Sequence, residues 1–432
     1  MGKLSLKKIS NEKKYFMFFF LFLMLYNFIY TNKCHFFTVG DIPYTAHIMD
    51  FSFGFCTKFL VGEVFGLFFK KVTMTNVTVF ETVLLLLVFV FVSFCLSKII
   101  SLYDNKEDKR AFFILALFFL SGPCTFAMFT DELGMYDVYW IYICALFFLC
   151  FKNKVLRFVI PILFFGAIML HFTSLLCYIP LMFLVVLYEV AQSDNKLSNR
   201  LYIIILFISA LVVVGITLYM FINERDNLVY KTMKEFNEAA YKKSQFGKDT
   251  EMTYYDMSFF DTSDTFKVYI KQYKPIFKNV NDYAVFKGLP KIAKSVIDYL
   301  ISRLNQTGFL YFVIRTAFVN AVYIFILFTP IYILLFKFWV FKIKGAETKL
   351  LKLIYLAMLL LLFNIIPFLT FAIDITRMYT HSFLTQCFMI AYLMYRDKSN
   401  LEYFTNKISG CNKGFLFTYY AIYALSYFYP YY

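Results

Sequence analysis

Eleven stretches of this chain are mostly apolar and close to the length that crosses a bilayer, and that pattern constrains the fold before anything else. They lie near residues 15–31, 77–99, 111–129, 136–151, 155–170, 172–190, 201–222, 309–336, 349–373, 378–395 and 414–430. A spanning helix needs about 20 predominantly apolar residues. Apolar residues are 61% of the chain and charged ones 16%, where a soluble domain carries about 25% charged. A water-soluble domain could not hide so much apolar surface, and disordered chains have the opposite composition. The expected fold is an all-α integral membrane protein, a polytopic bundle of about eleven helices.

The stretch 155–190 is nearly continuous, and its polar punctuation is His171-Phe172-Thr173-Ser174. A break there gives two helices joined by a tight outer turn. Lysine and arginine placement then sets the orientation. With the N-terminus in the cytoplasm, Lys3, Lys7, Lys8, Lys13 and Lys14 are inside, followed by basic connections at 98–110, 152–157, 196–200, 337–352 and 396–413. The short outer connections near 121–135, 171 and 374–377 hold only Arg377. The run Tyr15–Tyr30 lacks a small-residue cleavage site and reads as an uncleaved signal anchor. The expected location is the cytoplasmic (inner) membrane, multi-pass, with the C-terminus outside.

Three regions follow: residues 1–222, a membrane bundle with a first outer loop at 32–76; a large extracytoplasmic loop at 223–308; and the C-terminal spans at 309–432. The net charge of +15 is explained by cytoplasmic basic loops and gives no reason to expect nucleic acid. Nine cysteines cannot all pair, and no CxxC occurs.

All four histidines fall on the outer side in this topology, so the chemistry is expected there. Asp374, Arg377 and His381, spaced i, i+3 and i+7, share one helix face at the mouth of a span. Arginine's planar fork suits a pyrophosphate, Asp374 would orient it, and His381 would trade a proton; the alternative is an ion pair that pins a helix end. Arg315 is a second phosphate ligand if it faces the bundle, or a snorkelling anchor. His171, with Thr173 and Ser174, is either a proton acceptor or a hydrogen-bonded packing residue. In the first loop Asp41 and Asp50 flank His47, and Glu63 follows. Gly54, Lys58, Gly62 and Gly66 recur every four residues, giving a small or cationic face on an interfacial segment. A carboxylate here would act as general base on a sugar hydroxyl, or is a solvated loop acid.

Asp131, Glu132 and Asp137 form an acidic outer turn whose oxygen ligands would suit a divalent cation, although hydrated surface acids are commoner and no cofactor is expected. The large loop carries 15 Phe and Tyr in 86 residues, a composition suited to holding a carbohydrate or to docking on the bilayer. P-loop, GxGxxG, GxSxG and HExxH motifs are absent.

The piece Ile168-Met-Leu-His171-Phe-Thr173-Ser174-Leu175 is similar to the His-x-Ser/Thr helix motif of EpsG-type proteins. Ile375-Thr-Arg377-Met-Tyr379 is similar to their Arg-containing late helix. With its length, span count and one large outer loop, the chain resembles the bacterial polysaccharide repeat-unit polymerases, the Wzy or O-antigen polymerase group. That resemblance implies a glycosyltransferase of lipopolysaccharide, capsule or exopolysaccharide synthesis. It would join undecaprenyl (polyprenyl) pyrophosphate-linked oligosaccharides at the outer face, with a chain-length regulator or other assembly proteins as partners. His171, Arg377, His381, Asp41 and Asp50 would be catalytic, and Arg315, Asp374, Thr173 and Lys58 would bind substrate. The acid-bearing first loop looks more like the GT-C lipid-sugar transferases, which would add one sugar from a polyprenyl-phosphate donor. A lipid-linked oligosaccharide flippase is a further alternative, although no internal repeat stands out and the 86-residue outer loop is unusual for that role.

Overall fold

The computed structural model describes residues 2–31, 39, 41–131, 133–135, 137–153, 155–192, 196–223, 227–230, 233–244, 294, 310–364 and 375–426. Most of these residues are helical, with no strand among them. Among the described residues four helical stretches are long and apolar enough to cross a membrane: Met74–Ile100, Phe172–Gln192, Arg200–Met220 and Phe325–Lys344.

The chain opens with α1 (Gly2–Tyr26), which ends in a π-helical turn at Asn27–Thr31. Two short helices of the first loop follow, α2 (Asp41–Ile48) and α3 (Leu60–Gly66). The bundle continues with α4 (Met74–Ile100), α5 (Lys106–Leu120), a short α6 (Phe126–Asp131), α7 (Asp137–Lys152), α8 (Ile160–Leu170), α9 (Tyr178–Gln192) and α10 (Lys196–Asn223). Beyond it come α11 (Met233–Lys243), α12 (Leu310–Lys344), α13 (Lys349–Leu361), α14 (Ile375–Arg396), α15 (Ser399–Ser409) and α16 (Lys413–Leu425).

Helix starts are written in the local sequence. Thr73, Asn105, Thr348 and Asn412 each accept a backbone N–H from the first turn of α4, α5, α13 and α16. A capping oxygen of this kind satisfies one of four orphaned donors and is worth about 1 kcal/mol. His171 divides the 155–190 stretch. Its backbone is extended, and its Nδ1 accepts the N–H of Thr173, which starts a 3₁₀ segment at Phe172–Leu176.

The expected span at 111–129 is interrupted. α5 stops at Leu120, and Ser121-Gly122-Pro123 turns the chain before α6. Gly122 has φ +102° and lies where a Cβ would strike the Tyr423 ring, so a side chain is excluded on two counts. The helix expected at 349–373 ends at Leu361, with turn residues after it. Two amphipathic helices, α11 and α15, fall in segments read as connections.

The helices arrange their polar groups at two ends. At one end Glu12 of α1 pairs with Lys98 of α4 at 2.5 Å, and Arg396 of α14 with Glu189 of α9 at 2.7 Å. There too, Thr405 of α15 donates to Asp108 of α5. At the other end Tyr26 donates to the Ala424 carbonyl and accepts from the Gly122 N–H. Here the backbone N–H of Lys58 reaches the Met169 carbonyl at 2.7 Å, tying the first loop to the end of α8. Thus the chain rises from Arg157 through α8 to Met169, and α9 returns to Glu189. The surface between is apolar: α10 exposes Ile203, Ile204, Phe207, Leu211 and Val214, as a lipid-facing helix does.

Candidate functional site

The first turn of α7 organises the end that carries the loops. Asp137 stands at the start of that helix and Tyr139 two residues on, about 200° apart around the axis. They therefore reach different neighbours, and each anchors a buried polar cluster.

On one side Asp137 meets α14. Its Oδ2 lies 2.7 Å from Arg377 Nε, and its Oδ1 lies 2.5 Å from His381 Nε2. Arg377 and His381 are one helical turn apart, so a single carboxylate bridges both. The other nitrogen of His381, Nδ1, is 2.8 Å from the Tyr178 hydroxyl of α9. With its proton on Nε2 the ring donates to Asp137 while Nδ1 faces the Tyr178 hydroxyl. Asp137 is the counter-ion of Arg377. Asp137 is 3% exposed, Arg377 6% and His381 0%. Charges this far from water persist only when paired and hydrogen-bonded. Trp140 packs edge-on against His381, with centroids 4.6 Å apart, and Phe129 lies over it at 6.1 Å.

On the other side Tyr139 donates to Glu81 Oε1 at 2.6 Å, and His47 Nε2 meets the same oxygen at 2.6 Å. Glu81 lies about two turns into α4 and is wholly buried, as is His47. His47 is held by ring contacts with Phe65 and Phe80. The first loop is thereby stitched to α4 and α7.

The sequence-derived residues divide as follows. Arg377 and His381 come together as their spacing implied, but the acid between them is Asp137. Asp374, expected to orient Arg377, lies outside the described residues, as does Glu132; the side chains of Arg315, Asp41 and Asp131 are outside them as well. His171 is half-buried at the end of α8, its Nδ1 3.0 Å from Thr173 Oγ1. Its ring lies 6.3 Å from that of Trp140 in an edge-to-face contact, so Trp140 touches both His171 and His381. Lys58 adopts φ +74° and joins α8 through its backbone.

Asp50 is held by Lys243 of α11 and by Ser52. Partial burial would push its carboxyl up, yet the hydrogen bonds from Lys243 and Ser52 prevail and hold it below the ordinary carboxylate range. Glu63 accepts the Phe51 N–H at 3.2 Å. Among the described residues no three His, Cys, Asp or Glu side chains gather as a metal would require; Asp137, expected in an acidic turn, faces Arg377 instead.

Sequence reasoning missed Glu81, Tyr139, Tyr178 and Trp140. Glu81 left a readable signal, a single acid inside the apolar run of α4. The tyrosines and the tryptophan left none, because aromatics fill every span of this chain. No family model, curated protein or solved structure matches this sequence.

Proposed function

We propose that this chain is a glycosyltransferase that joins polyprenyl-pyrophosphate-linked oligosaccharide repeat units at the outer face of the cytoplasmic membrane. The observation that carries the reading is the fixing of Arg377 by Asp137 and His381 at the loop-bearing end of the bundle. In such a reaction the acceptor hydroxyl attacks the anomeric carbon of the growing glycan. A glycosidic C–O bond forms, the C–O bond to pyrophosphate breaks, and the lipid pyrophosphate leaves with the electron pair.

A held guanidinium beside the departing phosphate stabilises charge that develops only in the transition state, commonly the largest catalytic contribution. Arg377 is the residue for that role. His381 has both ring nitrogens engaged, so it acts as a positioning residue that sets Asp137 and, through it, Arg377. His171, half-buried next to Trp140, takes the acceptor's proton on Nδ1 once that nitrogen is released from the Thr173 N–H.

The test is Arg377→Ala in a strain lacking the native copy, with the protein shown to be expressed and inserted. The expected result is collapse of the surface-glycan ladder to a single repeat unit. An unchanged ladder would sink the assignment. A repeat unit that instead lacks a sugar would favour the GT-C-type reading. In that case Asp41 or Asp50 becomes the base, and Asp50 would first have to leave Lys243.

A further inference from the structure

The opposite end of the bundle holds a feature that the proposed reaction does not use. A cavity of about 940 Å³ opens there among α4, α5, α7, α12, α14, α15 and α16, with Glu189 of α9 and Tyr202 of α10 also lining it, near the top of the ~300–1,000 Å³ range of small-molecule sites. Its walls are apolar, with Phe91, Leu115, Leu334 and Phe388 among them. Its mouth is cationic: Lys98, Lys152, Arg157, Lys337, Arg396 and Lys407 line it, against the single acid Glu189.

Two of those cations are compensated, Lys98 by Glu12 and Arg396 by Glu189. The other four have no acid partner among the described residues. Lys152 sits 4.6 Å from the ring centre of Tyr395, Arg157 4.6 Å from that of Tyr202, and Lys407 5.9 Å from that of Tyr403. Contacts with ring faces orient these cations but supply no counter-charge.

We infer that this groove binds an anionic glycerophospholipid, with acyl chains along the apolar walls and the phosphate at the Lys152–Lys337–Lys407 mouth. Each alternative meets one half of the site. A soluble anion would match the mouth and leave the walls uncovered. Water needs two to four polar partners, which these walls do not offer. A zwitterionic lipid would fill the walls but bring no net negative charge to the four cations. Basic pockets between spanning helices on the cytoplasmic side are where anionic headgroups bind, and this mouth is formed by the segments read as cytoplasmic. A polyprenyl phosphate shares the charge and the tail, but in the proposed reaction its headgroup belongs at the other end, beside Arg377. In setting the polyprenyl phosphate aside the inference rests on the proposed reaction, and the identity of any lipid that co-purifies separates the two.

The experiment is native mass spectrometry of the full-length protein, titrated with phosphatidylglycerol and with phosphatidylcholine. One phosphatidylglycerol should bind at least tenfold more tightly than phosphatidylcholine. The triple variant Lys152→Gln, Lys337→Gln, Lys407→Gln should lose most of that preference, and Ala391→Trp, which projects bulk into the groove, should weaken both lipids. Should the variants fail to fold, wild-type protein answers alone. Phosphatidylglycerol carrying a diazirine near its chain end should label peptides of α5 and α14. Equal binding of the two lipids, labelling confined to the outer face of α10, or a co-purifying polyprenyl phosphate in the groove would each overturn the inference.

Discussion

The two ends of this bundle handle charge in opposite ways. At the loop-bearing end charge is paired and buried: Asp137 answers Arg377 and His381, and Tyr139 and His47 share one oxygen of Glu81. At the basic end cations outnumber acids around an open apolar groove, and several rest on aromatic rings. Buried ions demand specific partners, because desolvation costs several kcal/mol per ion. Exposed ions at a membrane edge need only water or lipid headgroups nearby. The first end should therefore be intolerant of single changes and the second forgiving.

Asp137→Ala tests the contrast most severely. It leaves Arg377 buried without its carboxylate, and breaking a buried pair costs about 3–5 kcal/mol. The thermal midpoint of the purified protein should drop steeply or the protein should fail to accumulate. Asp137→Asn keeps the shape and should recover part of the loss. An unshifted midpoint for the alanine variant would show that the cluster does not hold these helices together.

Glycines give a second pairing of the two ends. A Cβ on Gly62 would lie 2.0 Å from the Met49 carbonyl oxygen, and both are backbone-fixed. A Cβ on Gly345, at the basic end, would meet nothing closer than 3.6 Å. Overpacking typically costs about 1–3 kcal/mol, so Gly62→Ala should destabilise by that amount while Gly345→Ala leaves the midpoint unchanged. Equal midpoints for the two variants would mean that the first loop yields as readily as the basic connections.

These features differ in how far they could be read from residues alone. The helical class follows from apolar runs whose length matches a bilayer. The break at His171 was legible because His171, Thr173 and Ser174 are the polar punctuation of a nearly continuous apolar stretch. Arg377 and His381 were legible as a pair because one turn of helix places them together. Their partner was not: Asp137 lies some 240 residues away in sequence, and only packing of α7 on α14 brings it there. It was read instead with Asp131 and Glu132, its neighbours in the chain. The Gly54-Lys58-Gly62-Gly66 recurrence was visible, but its reason at Gly62 is a carbonyl of another segment. At the basic end each lysine was readable, and the groove they surround was not, because a cavity is a property of nine helices at once.

The Asp50–Lys243 pair lies between the extremes, at the loop-bearing end yet partly exposed. Because folding lowers the Asp50 carboxyl, its contribution is fully present above the ordinary carboxylate value of about 4. It is lost as pH falls through the lower folded value. Partly exposed pairs are worth on the order of 0.5 kcal/mol, so Asp50→Asn should cost little at neutral pH. What it should remove is the acid-side fall in how firmly α11 is attached, read by hydrogen exchange of the Met233–Lys243 amides between pH 3 and 6. An identical pH profile in both proteins would show that this pair is not what joins α11 to the first loop.

The smallest effect is expected where the charge density is highest. Lys152→Gln removes a cation whose partner is the face and hydroxyl of Tyr395, the latter at 3.4 Å. An exposed contact of that type is worth about 0.5–1 kcal/mol, and glutamine keeps much of the stem that covers the ring. The midpoint in detergent should therefore move by no more than roughly 0.5 kcal/mol, the usual limit for surface changes. The same variant measured in anionic vesicles should lose slightly more, since the lipid phosphate that compensates Lys152 there has one cation fewer to meet. A loss as large as that of Asp137→Ala would mean that the basic end is knit together as tightly as the other, and the contrast between a buried, paired end and a lipid-compensated one would fail.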